Sequence, residues 1–159
     1  MLWERWRLAP GWRPRLELPA LLEAAAPGTE LMLDLKGQDP RLPRRVAEAL
    51  AAARPVRVTI CARNWRLLEP LRDLPGVRVV HSVGSRRQLR ALRRRFAGRR
   101  LDGVSIHREL LDPATVADLR SRAAIVMTWP VATEDEARRL ADWGVDGVIT
   151  EHFDELLAA

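Results

Sequence analysis

Six short runs of β-branched and aliphatic residues recur along the chain, at 31–35, 56–61, 77–81, 103–107, 124–129 and 147–150. Each reads as a buried or half-buried strand. Between them apolar positions return every three or four residues, which predicts helices at about 40–53, 64–73, 85–97, 112–121 and 133–142, with a short one at 152–158. A further helical stretch, 16–26, is closed by Pro27-Gly28. Turn chemistry falls at the seams: Pro75-Gly76, Ala97-Gly98, Asp102-Gly103 and Gly144-Val145-Asp146-Gly147 each end a helix and open a strand. Asp112-Pro113 and Thr133-Glu134-Asp135-Glu136 read as helix starts, the second with the spacing of a capping box. Residues 1–18 form an irregular segment with three Trp and no strand pattern.

Strict alternation of β and α elements implies an α/β fold with a parallel sheet and right-handed crossovers. With 159 residues one domain is expected. A closed eight-stranded barrel takes about 250 residues, so length by itself favours an open parallel α/β sheet.

Composition narrows the function classes. Cys61 is the sole cysteine, which excludes an internal disulfide framework and a Cys-based zinc site, and it reads as a small core residue. No run reaches the length of a membrane span, and charges interrupt the N-terminus from Glu4 onward, so the cytoplasm is the expected compartment. A net charge of +6 raises the question of nucleic acid. The densest basic run, 86–100, however, interleaves Leu89, Leu92 and Phe96 at helical spacing and is read as the solvated face of an amphipathic helix, with no nucleic-acid partner assigned. No Gly-rich phosphate loop, nucleophile elbow or zinc-type His pair occurs.

In parallel α/β architectures ligands bind at the C-terminal ends of the strands. That rule selects Asp34 and Lys36, 61–64, His81 and Ser82, His107 and Arg108, Trp129, and 150–152. Asp34 and Lys36 are two apart on one strand and project to the same side, where a carboxylate beside an ammonium suits a cation next to a phosphate, or equally a plain ion pair. Lys36 is the only lysine among 27 basic residues, a compact charge retained where every other position is Arg. His81 and His107 each end a strand and are candidates on the substrate side, as acid, base or ligand, if their side chains converge. Trp129 is read as an apolar wall, Trp65 and Trp143 as packing residues, and His152 as a cap of the last helix.

Three stretches resemble the glycerophosphodiester phosphodiesterase family, a TIM-barrel family. Leu31-Met32-Leu33-Asp34-Leu35-Lys36 resembles its acidic-x-Lys strand, Ile125-Val126-Met127-Thr128-Trp129-Pro130-Val131 its Trp-containing penultimate strand, and Trp143-Gly144-Val145-Asp146-Gly147-Val148-Ile149-Thr150-Glu151 its closing Gly-Val-Asp-Gly motif. The likeness runs over about 19–157, so residues 19–159 are expected to be the barrel domain, as a partial TIM barrel of about six βα units lacking the first two strands. The resemblance implies metal-dependent hydrolysis of glycerophosphodiesters to glycerol 3-phosphate and an alcohol in lipid metabolism, with Mg²⁺ or Ca²⁺. By it Asp34 is a metal ligand, and Lys36 and Trp129 are substrate-binding.

The chain departs from the family pattern at Asp34, where the family has Glu, at Ala132, where it has Asn, and at Glu151, where it has Asp. The family's His-Arg-Gly strand, Glu-x-Asp metal pair and second catalytic His precede the acidic-x-Lys strand and have no counterpart in residues 1–30. No catalytic residue is therefore assigned, and catalysis is expected only if upstream residues complete the site. The other reading is a non-catalytic phosphate-ligand-binding or interaction module. Strand edges at 31–36 and 146–151 are expected to be open to self-association.

Overall fold

The structure is a computed structural model that describes residues 17–26, 28–53 and 57–151. The expected cap at His152, the helix at 152–158 and the segment 1–16 lie outside those residues. The described elements follow in order: α1 (Leu18–Ala24), β1 (Glu30–Leu35), α2 (Leu42–Ala52), β2 (Arg57–Ala62), two 3-10 turns (Trp65–Leu67 and Glu69–Leu71), β3 (Val77–Val83), α3 (Arg86–Arg95), β4 (Leu101–His107), α4 (Pro113–Arg122), β5 (Ala123–Trp129), α5 (Glu134–Asp142) and β6 (Gly147–Val148). A third 3-10 turn, Arg108–Leu110, follows β4 directly.

The six strands form one parallel sheet in the order β1-β2-β3-β4-β5-β6. A doubly wound sheet reverses its strand order at a switch point, where ligands bind. Here the order never reverses. Every crossover steps the same way, as in a sector of a (β/α) barrel, and the result is a curled half-barrel with β1 and β6 as its edges among the described residues.

Strand alternation divides the side chains between two faces. Leu35, Val58, Ile60, Ala62, Val79, Val83, Val104, Ile106 and Val126 are buried under the helices together with Val46 of α2, Leu89 and Leu92 of α3 and Leu119 of α4. Each such Val, Leu or Ile side chain contributes about 1.5–3 kcal/mol relative to an exposed one. A smaller cluster of Val116, Val131, Leu140 and Val145 seals α5 onto the sheet. The basic run behaves as its spacing predicts, with Leu89, Leu92 and Phe96 buried beneath outward arginines.

Two helix starts are capped where the sequence places caps, and α3 is capped in the same way by Ser85. Ser85, Asp112 and Thr133 accept from the backbone N–H of Gln88, Thr115 and Glu136 respectively. Only half of the expected capping box forms, because the Glu136 carboxylate turns to Arg108 at 2.6 Å and ties α5 to the end of β4. The helix expected over 64–73 is instead two 3-10 turns. Pro70 lacks the N–H an α-helix needs there and its ring crowds the preceding turn.

Two Asp-Gly pairs do more than turn the chain. Asp102 Oδ2 accepts from Val79 N on the neighbouring strand at 3.1 Å, and Asp146 Oδ2 accepts from Val126 N at 2.8 Å while its Oδ1 accepts from Arg120. The same device thus satisfies a backbone donor near the N-terminal end of β3 and again in β5. Gly103, next in the chain after Asp102, is required by close approach. A Cβ there would lie 2.8 Å from Val80 Cγ2.

Candidate functional site

The face of the sheet away from the helices is lined at its C-terminal edge by Met32, Asp34 and Lys36 from β1 and the residue after it, by Cys61 and Arg63 at the end of β2, by Ser82 of β3 and Ser105 of β4, and by Trp129. Pro130, Ile149, Thr150 and Glu151 complete the wall of a cavity of about 370 Å³. Its members come from alternate strand positions, with Asp34 opposite Cys61 in the β1–β2 register and Ser82 opposite Ser105 in the β3–β4 register.

Charge is distributed unevenly across it. Lys36 Nζ donates to Asp34 Oδ2, so these two half-exposed groups neutralise each other. The Cys61 thiol is pushed up to about 12, first by burial and then by the Asp34 carboxylate beside it, and it is a proton donor at neutral pH rather than a nucleophile. Arg63 has no carboxylate partner among the described residues. Its guanidinium carbon lies 4.8 Å from the centroid of the Trp129 indole. On that indole the His107 ring packs edge-on, with centroids 4.9 Å apart and planes at 89°.

The two candidate histidines part company. His107 reaches the rim through its contact with Trp129, and its Nδ1 accepts from Glu109 N at 3.4 Å. His81 does not reach the cavity. It is 2 % exposed on the helix side of β3, its ring 4.6 Å from Phe96 and 5.8 Å from Trp65. Trp65 Nε1 donates to the carbonyl of Ser82, and it is Ser82 that faces the cavity. Burial, and after it the charge of Arg72, lowers the pKa of His81 to about 4.

The cavity therefore gathers Asp34, Lys36 and Trp129, with His107 behind Trp129 and His81 on the opposite face. Arg63 falls within the 61–64 strand end selected from the sequence, but without a role of its own, and Ser105 was not selected. Ser105 had no signal beyond strand alternation, and Arg63 was one arginine among 26 until its place over Trp129 distinguished it.

Residues 29–155 match the model of the glycerophosphoryl diester phosphodiesterase family. The chain belongs to that family. Glycerophosphoryl diester phosphodiesterase folds are also what it resembles among solved structures, at identities that speak for the fold alone. A phosphodiesterase from Oleispira antarctica, in complex with its product sn-glycerol-3-phosphate, superposes with a TM-score of 0.65 at 20% identity, covering 82% of this chain and 55% of that one. The glycerophosphodiester phosphodiesterase of Thermotoga maritima gives 0.63 at 15% identity over 80% and 55%, and that of Parabacteroides distasonis 0.61 at 18% over 81% and 55%. The chain spans about half the length of these solved relatives. No curated protein sequence matches it. Among the described residues no helix is long and apolar enough to cross a membrane.

Proposed function

We propose that the cavity at the C-terminal strand edge is the phosphate-and-wall side of a glycerophosphodiester site, in which Lys36 meets the phosphate and Trp129 and Met32 flank the alcohol portion. The observation that carries this reading is that Asp34, Lys36 and Trp129 meet in one cavity of a chain belonging to the phosphodiesterase family. The small-molecule ligand class follows from the cavity's size and its mix of cations, hydroxyls and an apolar wall.

Members of this family are generally served by a divalent metal, so the donor set can be tested for fit. A hard divalent cation takes about six or more oxygen ligands. Among the described residues no three His, Cys, Asp or Glu side chains come together as a metal group. Asp34 and Glu151 are the carboxylates lining the cavity, and Asp34 is engaged with Lys36. This set supplies at most part of a cation's shell, with Asp34 as the proposed donor. Hydrolysis also needs a base for the attacking water and an acid for the leaving alkoxide. Cys61 is held protonated and His81 faces away.

Those two observations favour a second reading, in which the described cavity binds phosphate esters without turning them over. Release of glycerol 3-phosphate from a glycerophosphodiester, followed with Mg²⁺ or Ca²⁺ and with EDTA, separates the two. Metal-stimulated release that is lost in Lys36→Ala supports the hydrolase. Binding of sn-glycerol 3-phosphate without release supports the binding module, and absence of both refutes each.

A further inference from the structure

The charges around the cavity do not share one role. Lys36 is neutralised by Asp34, so although its ammonium keeps N–H donors for an anion, its net pull on one is weakened. Arg63 lines the same cavity and, among the described residues, makes no ion pair, its guanidinium lying over the π-face of Trp129. A cation over an indole gains about 0.5–2 kcal/mol, well short of what a carboxylate or phosphate offers through charge-assisted hydrogen bonds. Among the described residues, Arg63 is therefore the cavity-lining cation without an ion-pair partner.

Its placement is built. On one side lies Trp129, and on the other the β3–α3 loop, where a Cβ on Gly84 would stand 3.4 Å from Arg63 Cζ. Gln88 binds both strands of that junction, accepting from Gly84 N at 2.8 Å and donating to the carbonyl of Arg63 at 3.5 Å. A guanidinium confined in this way has given up much of the rotamer freedom it would otherwise lose on binding.

We propose that Arg63 is the anion anchor of the cavity, taking two oxygens of a phosphate ester on its planar fork, and that Lys36 is a secondary contact restrained by Asp34. The assignment rests on the phosphate-ester reading given above and deepens it by naming the residue that selects the charge. Ser82 and Ser105, which line the cavity from β3 and β4, are the further donors for the same group. A neutral polyol offers the fork nothing, so discrimination between a phosphate monoester and its free alcohol is the property Arg63 confers.

The test is calorimetric titration of sn-glycerol 3-phosphate, with glycerol as the neutral control, into the full chain in EDTA. Wild type, Arg63→Ala, Arg63→Lys, Lys36→Ala and Asp34→Asn are compared, each checked for an unchanged far-ultraviolet dichroism spectrum. Arg63→Ala is expected to weaken binding by about tenfold or more, the loss of a charge-assisted pair of hydrogen bonds. Arg63→Lys keeps the charge without the fork and is expected to fall between. Asp34→Asn frees Lys36 and is expected to tighten binding. Wild-type affinity retained in Arg63→Ala, while Lys36→Ala loses it, would overturn the assignment and leave the phosphate reading standing. No binding of sn-glycerol 3-phosphate by wild type would remove both.

Discussion

The buried imidazole of His81 ties stability to pH in a way that can be worked from its surroundings. It lies at 2 % exposure against Phe96 and Trp65, and its Nδ1 has no hydrogen-bond partner among the described residues. Burial first, then the positive charge of Arg72, lowers its pKa from 6.5 to about 4, with Glu69 acting in the opposite sense. The unfolded chain therefore binds a proton at His81 between those values and the folded chain does not. Stability rises with pH wherever the unfolded state holds more protons, so this contribution is present in full above the unfolded pKa and is lost as pH falls from about 6.5 towards 4. A shift of this size amounts to about 3 kcal/mol in total, of which about 2 kcal/mol is lost between pH 7 and pH 5. Urea unfolding at several pH values over that range should show the slope in wild type. His81→Met, apolar and similar in volume, should flatten it. Parallel slopes in the two proteins would refute the reasoning, because the remaining titrating groups are common to both.

Gly103→Ala places a methyl group 2.8 Å from Val80 Cγ2 and 3.4 Å from the Ile125 carbonyl. Overpacking of that kind costs about 1–3 kcal/mol, so the thermal midpoint should fall by several degrees, and an unchanged midpoint would show that β3 yields freely. Cys61, with its thiol pushed up to about 12, should resist iodoacetamide at pH 8 about a thousandfold more than a free cysteine and react at once in denaturant. Native alkylation at the rate of free cysteine, read by mass spectrometry, would contradict its placement beside Asp34.

Much of the fold was legible in the chain because it is written in local chemistry. Period-two and period-3.6 patterns located the six strands and most of the helices, and Asp112 and Thr133 mark helix starts by the same hydrogen bonds their side chains make in the structure. The 64–73 stretch departed from expectation because Pro70 removes a donor in mid-helix. Alternation also placed Asp34 and Lys36 on one face correctly, since β1 is exposed at every second position. It was silent on β3, where Val79 to Val83 are all buried and nothing in the pattern says which face His81 takes.

The strand order is a property of the crossovers, and no residue encodes it alone. That order, running from β1 to β6 without reversal, is what separates a barrel sector from a doubly wound sheet and decides which strand ends share a cavity. The sequence by itself determined the elements, the family-like stretches and the Asp34-Leu35-Lys36 strand end. Only the tertiary structure decided that Lys36 is spent on Asp34, that His81 lies under the helices, and that one arginine among 26 is held over Trp129. The physical reason is range: hydrogen bonds and periodicity act over a few residues, whereas charge balance in a cavity depends on side chains brought together from strands far apart in the chain.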